Sequence, residues 1–269
     1  MRYHNRFIIG HSFTESINAN QLLISWRELK YHVLIAFLLF GSTILSAQNE
    51  SFHTWSDFNY QHNFSTKFSF KGDAGIRGVL SSSDWSILYV RPGVHYQISP
   101  EISTAAAISG FHTWNRDNPN SFEFRYAPEA VAVWPSFDVG SFSHRARYEG
   151  RFFWYDTARN DPETKSRDQN SRFRYQLAFK TDYFNVTERL DNFFVQVSTE
   201  FFLPFGEDAS ELYFNQNRII LAFGQLLNKG WSYKVDFMWQ RSKNTLEGDF
   251  STNEMVIRLR IYLKNQKTN

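Results

Sequence analysis

Between Ser141 and Trp154, charged side chains recur at alternate positions: Arg145, Arg147, Glu149 and Arg151. A second basic pair, Arg172 and Arg174, has the same spacing, and the neighbouring stretches supply Glu129 and Glu200. A planar guanidinium holds a carboxylate or phosphate through two parallel hydrogen bonds. The set could therefore bind or pass a small anion through Arg145, Arg147, Arg151, Arg172 and Arg174. It could equally neutralise itself, with Glu129, Glu149 and Glu200 as the counter-charges. Catalysis has weaker support. His144, with serines such as Ser109 and Ser143, offers the raw material of a lipid hydrolase, but no G-x-S-x-G elbow accompanies them. No H-E-x-x-H or carboxylate-loop spacing occurs, and the histidines at 53, 62, 95 and 112 are dispersed. No metal, no cofactor and no enzymatic activity are expected.

The element that positions these charges is legible in the same stretch. Phe142, His144, Ala146, Tyr148, Gly150, Phe152 and Trp154 fill the even positions, and successive side chains of a strand point to opposite faces. An extended 141–154 therefore has one aromatic face and one charged face. A helix would scatter both sets around its axis. In a soluble protein, such as a lipocalin-like binding barrel, apolar residues would pack inward around a ligand. An outer-membrane barrel inverts this, with aromatics against lipid and charges inside.

Composition favours the two-faced sheet. The 269 residues include 28 Phe, 13 Tyr and 8 Trp, and no cysteine, so no disulfide framework holds the chain together. Many large rings in a chain that is polar on average do not suit a bundle of membrane helices. One stretch, 33–45 (VLIAFLLFGSTIL), is uniformly apolar, with Arg27 and Lys30 before it and Ser46, Ala47 and Gln48 after it. A basic lead, a short apolar run and a small residue at the cut make a secretory signal peptide, too short to span a bilayer. Cleavage is expected after Ala47, which makes 1–47 an N-terminal extension with its signal and 48–269 the barrel. Residues 1–26 form an unusually long lead, which suggests a true translation start near Leu29. Removing 1–47 takes four Lys/Arg and two Asp/Glu from totals of 29 and 27. The remainder is formally neutral, so nucleic acid is not an expected partner.

The same alternation recurs along the chain. Phe68, Phe70, Ala74 and Ile76 oppose Lys71, Asp73 and Arg77; Leu88, Val90, Val94 and Tyr96 oppose Tyr89, Arg91 and His95. Further on, Phe173, Tyr175, Leu177 and Phe179 oppose Arg172 and Arg174, and Ile257, Leu259 and Ile261 oppose Arg258 and Arg260. The stretch 102–114 is the least polar, and its faces do not separate by hydropathy. Tight connections are expected around Pro100, Pro135 and Lys229, with longer polar ones around Ser82, Asn118, Asp161, Asp208 and Gly248. The longest loop is expected at 156–170. Short turns on one side and long loops on the other suit an outer-membrane barrel. Eleven segments can be counted where single-chain bacterial barrels normally have an even number, so ten to twelve strands are expected. The first segment or one boundary is the suspect.

Trp55 near the mature start, Arg77 ending the second segment, RARYEGR at 145–151, RFRY at 172–175 and NR at 217–218 resemble the uncharacterised outer-membrane β-barrel proteins grouped as the domain-of-unknown-function family numbered twenty-four ninety. The resemblance spans nearly the whole of 48–269 and implies an outer-membrane β-barrel without implying an activity. The expectation is an all-β, antiparallel outer-membrane barrel of a Gram-negative bacterium. Its interior would be charged and its role structural or porin-like. Outer-membrane lipid and a small anionic solute are the expected partners.

Overall fold

The computed structural model describes residues 50–80, 84–156, 167–186, 191–205, 216–243 and 250–265. The expected signal segment, 1–47, lies outside the described residues. Among the described residues, eleven strands follow one another around a closed barrel. They are β1 (Glu50–Asn63), β2 (Phe68–Val79), β3 (Trp85–Gln97), β4 (Ile102–Asn115), β5 (Ser121–Val133) and β6 (Gly140–Tyr155), then β7 (Arg167–Thr181), β8 (Phe193–Phe205), β9 (Gln216–Leu226), β10 (Trp231–Lys243) and β11 (Phe250–Asn265). Each sequential pair is antiparallel.

The odd count is real, and the first segment is a wall strand. β1 closes the barrel by pairing in parallel with β11, with Trp55 level with Arg258 and Ser56 level with Leu259. An odd meander can close only in this way, because its first and last strands run in the same direction. β1 therefore starts at one rim and β11 ends at the other. We call the rim bearing the β1–β2, β3–β4, β5–β6 and β9–β10 connections the turn rim, and the opposite one the loop rim.

The turn rim is tight where the sequence demands it. Lys229 and Gly230 take positive φ (61° and 80°) between β9 and β10, a geometry that costs glycine little. The separation of short and long connections is nevertheless incomplete. The β7–β8 connection at the turn rim runs from 182 to 192, whereas β2 and β3 are joined at the loop rim by only 80–84. The loop expected at 156–170 is also shorter than its composition suggests, because Arg167, Asp168, Gln169 and Asn170 pair with Trp154, Phe153, Phe152 and Arg151. Polar residues can extend a ladder when their neighbour already presents an extended edge.

Faces follow the alternation. Outside, Leu88, Val94, Ile108 and Ile257 are 49%, 57%, 53% and 50% exposed. Inside, Asp57, Glu149, Glu200, Asp236 and Arg258 are buried together with Tyr89, Phe111 and Phe202. The faces of β4 are resolved by its small residues. Ser103 and Ser109 are buried inside with Phe111, while Ile102, Ile108 and Trp114 are exposed outside. The apolar part of the interior is a cluster of Trp55, Ile220, Met238 and Val256 from β1, β9, β10 and β11.

Candidate functional site

The interior charges form a connected network centred on two glutamates. Glu149, on β6 and 1% exposed, accepts from Arg172 Nε at 2.7 Å and Arg174 Nη1 at 2.6 Å. Arg125 and Arg147 complete its surroundings at 3.4 and 3.8 Å. Glu200, on β8 and 2% exposed, accepts from Arg145 Nη2 at 2.7 Å and Arg174 Nη2 at 2.8 Å, with Arg218 at 3.3 Å. Arg174 thus ties the two carboxylates together. Glu123 takes both Arg125 and Arg151, and Glu129 takes Arg147.

The strands bring all eight residues singled out in the sequence into this network. Arg145, Arg147, Arg151, Arg172 and Arg174 each have a carboxylate partner from Glu123, Glu129, Glu149 or Glu200. Side chains alternate on each strand, so facing strands present their charges at one level. The guanidinium fork then reaches diagonally to the neighbouring strand.

A second centre lies near the β1–β11 seam. Asp57 accepts from Tyr89 Oη at 2.7 Å and from Arg258 Nε at 2.6 Å. Arg260 lies 2.8 Å from Asp236, which also faces Lys234. Sequence reasoning passed over Asp57, although alternation with Phe52, Thr54, Ser56 and Phe58 would have placed it inside with His53 and Trp55.

Interior aromatics serve as platforms for the cations. Arg172, Arg174 and Arg218 lie over the ring of Phe202 at 5.0, 4.7 and 4.6 Å. Arg77 lies over Trp55 at 4.4 Å and over Tyr89 at 4.6 Å, and Arg125 over Phe111 at 4.2 Å. Cations are attracted to ring faces, the more so where water is excluded. Phe202 was missed because it sits in the run FFLPF, where hydropathy does not alternate. Only counting by twos from Glu200 places it inside.

The fold does not bring His144 to Ser109, whereas on β1 His53 Nε2 lies 2.9 Å from Ser51 Oγ. Ser109 faces the interior on β4, whereas His144 faces outward on β6 with Nδ1 2.5 Å from the Tyr175 hydroxyl. Among the described residues, no group of three potential His, Asp or Glu ligands is placed to hold a metal ion. No helix among them is long and apolar enough to cross a membrane.

Between the network and the turn rim the interior opens into a vestibule of about 470 Å³. Arg91 and Asp73, paired at 2.8 Å, and Arg147 and Glu129 line its inner end. Lys71, His95 and Lys264 line it nearer the rim.

Fold and interior together define a closed β-barrel with an ion-paired lumen. The chain belongs to the family described as "Protein of unknown function (DUF2490)", whose model matches residues 52–251. No curated protein matches it.

Proposed function

We propose that the protein is an outer-membrane β-barrel of a Gram-negative bacterium with a structural role. Its lumen is closed at mid-height by the Arg/Glu network, and it reaches the membrane through the signal expected within 1–47. The observation that carries this reading is the inversion of faces: isoleucine, leucine and valine stand exposed outside while Glu149, Glu200 and Asp236 are buried inside. A water-facing surface this apolar would be an aggregation liability, whereas a lipid-facing barrel requires it. Exposed aromatics at both ends of the wall add support, with Trp114, Phe122 and Trp154 near the loop rim and Trp134, Phe137 and Trp231 near the turn rim. Along β6, Phe142 and Trp154 are separated by about 30 Å of barrel height, at ~3.3 Å per residue and a tilt of ~40°, which suits a bilayer.

Pairing of Arg145, Arg147, Arg151, Arg172 and Arg174 with carboxylates favours a plug over an anion pore. Barrels of about eight strands are filled by their side chains and those of about sixteen hold a channel. Eleven strands carrying long arginines fall nearer the first case. The proposed role involves no catalytic step. Transport of a small anionic solute is the second reading, favoured by the basic vestibule at the turn rim. The test is fractionation of the native protein followed by planar-bilayer recording. Outer-membrane fractionation, heat-modifiable gel migration and electrical silence are expected. Recovery as a soluble periplasmic protein would overturn the membrane reading, and a stable anion-selective conductance would overturn the plug.

A further inference from the structure

The wall formed by β3, β4 and β5 differs from the rest of the barrel in three ways that coincide. First, its ladders are interrupted. Register between β3 and β4 runs from Val90–Gly110 to Gly93–Ala107, which leaves Arg91 and Pro92 out. Between β5 and β6 it runs from Tyr126–Gly150 to Glu129–Arg147, which leaves out Ala127 and Pro128. Proline has no N–H to give, so the β4–β5 pair is bracketed on both sides by a missing rung. In lipid every such omission is costly, and here two fall at nearly one level.

Second, the wall is thin. Its inward positions there are Gly93, Ala105, Ala107 and Ala127, and Ala106 stands outward between them. Third, a cavity lies on each side of it. The vestibule is inside, and an apolar groove of about 510 Å³ lies outside, lined by Phe70, Pro92, Ile108, Tyr126 and Pro128 among others. Gly93, Val94, Ala106, Ala107 and Ala127 line both.

The two cavities differ in chemistry. The outer groove presents no charged residue. The vestibule presents Lys71, Arg91, Arg147 and Lys264 against Asp73 and Glu129. Both carboxylates are held by the arginines, and neither lysine forms an ion pair with a carboxylate among the described residues. Two cations without an ion-pair partner among the described residues, one of them attracted by Glu129 at longer range, thus stand beside a wall whose far side is apolar.

We propose that this wall is a lateral binding site for a fatty acid. The carboxylate is held by Lys71 and Lys264 in the vestibule, and the acyl chain leaves through the β3–β4 gap at Pro92 into the outer groove. A free soluble anion would use the lysines but has no need of the groove, and a neutral lipid would use the groove but not the lysines. Only an anionic amphiphile uses both, and the rung that Pro92 leaves unbonded, in a ladder that keeps its register on either side, is where the strands would part for a single chain. The inference rests on the bilayer placement proposed above, because the outer groove needs a lipid environment.

The test uses the full barrel refolded in phosphatidylcholine vesicles, with a palmitate carrying a diazirine near its chain end. Heat-modifiable migration of the same samples reports separately whether the barrel has inserted, so a failure of membrane placement is distinguishable from a failure of this site. Labelling is expected on peptides containing Val94, Ala106 or Tyr126. Palmitate should compete for it, and butyrate or hexadecanol should not. Lys71→Gln with Lys264→Gln should weaken labelling at least tenfold. Pro92→Ala with Pro128→Ala restores two donors, so it should keep the fold and lower the labelling. Labelling spread over the whole outer belt would overturn the proposal. So would labelling indifferent to the lysines, competition by butyrate as effective as by palmitate, or undiminished labelling in the folded proline double variant.

Discussion

Arg147 on β6 and Arg174 on β7 stand directly opposite each other across their ladder, a placement in which like charges ordinarily weaken a sheet. Neither is left facing the other alone. Arg147 Nε donates to Glu129 at 2.8 Å, and Arg174 divides its fork between Glu149 at 2.6 Å and Glu200 at 2.8 Å. Arg125 and Arg151 repeat the arrangement across β5 and β6, with both donating to Glu123, at 2.9 and 2.6 Å from their Nε atoms. The glutamates are therefore what permits arginine to face arginine inside the barrel.

Removal of the central glutamate should accordingly be severe. Glu149→Gln leaves Arg125, Arg147, Arg172 and Arg174 with one carboxylate fewer in a buried setting, and breaking one side of a buried ion pair costs about 3–5 kcal/mol. Urea unfolding from vesicles should show a loss of that order. Glu101→Gln, at an exposed turn where Ser99 is its partner, should change stability by less than about 0.5 kcal/mol. Equal midpoints for the two variants would refute the network's role in stability.

Arg77 is expected to behave in the opposite way. It lies over Trp55 and Tyr89, its Nε has no hydrogen-bond partner, and no carboxylate lies within ion-pair distance among the described residues. Replacing a poorly compensated buried cation by an apolar chain of similar length is often neutral or stabilising. Arg77→Met should therefore fold with unfolding stability at or above that of the parent, while Arg174→Met should lose about 3–5 kcal/mol by taking from both Glu149 and Glu200 the guanidinium that joins them. Comparable losses in both variants would show that the ring contacts of Arg77 are worth more than its desolvation costs.

The sequence allowed some of these features to be read and not others. Residues 141–154 disclosed their faces because bulky rings alternate with charges. The same logic placed Arg172, Arg174, Tyr89 and Asp73 inside. β4 resisted because Ser103, Ala105, Ala107 and Ser109 on one face differ little in hydropathy from Thr104, Ala106 and Gly110 on the other. Pairing was illegible for a different reason. Which strand closes on which is decided by distant geometry, and nothing local in 50–63 or 250–265 signals a parallel partner. The carboxylate chosen by each arginine is likewise set by register, to which composition is blind.

Lipid exposure of the even face of β6 can be tested by introducing charge. Tyr148→Lys or Phe152→Lys should cost about 2–4 kcal/mol near the bilayer midplane and less near an interface. Arg147→Ser should show no such depth dependence, because its site is inside. Refolding yield and urea midpoints in vesicles of different acyl length would separate the two behaviours. Harmless lysines on the even face would invert the assignment of faces.

The odd strand number itself can be tested through the seam. Ser56 on β1 and Leu259 on β11 are register neighbours and both point outward. Adjacent strands lie about 4.8 Å apart, within the range of about 4.4–6.8 Å that a disulfide spans between Cα atoms. The chain has no cysteine of its own, so Ser56→Cys with Leu259→Cys introduces the only thiols. Oxidation of the refolded barrel should join them and change the migration of the heated, unreduced protein. Ser56→Cys with Leu263→Cys places the second thiol four residues further along β11, beyond that span, and should remain reduced. A ten-strand barrel with β1 outside the wall would bring neither pair together. Cross-linking confined to the first pair is the outcome that the parallel β1–β11 closure requires.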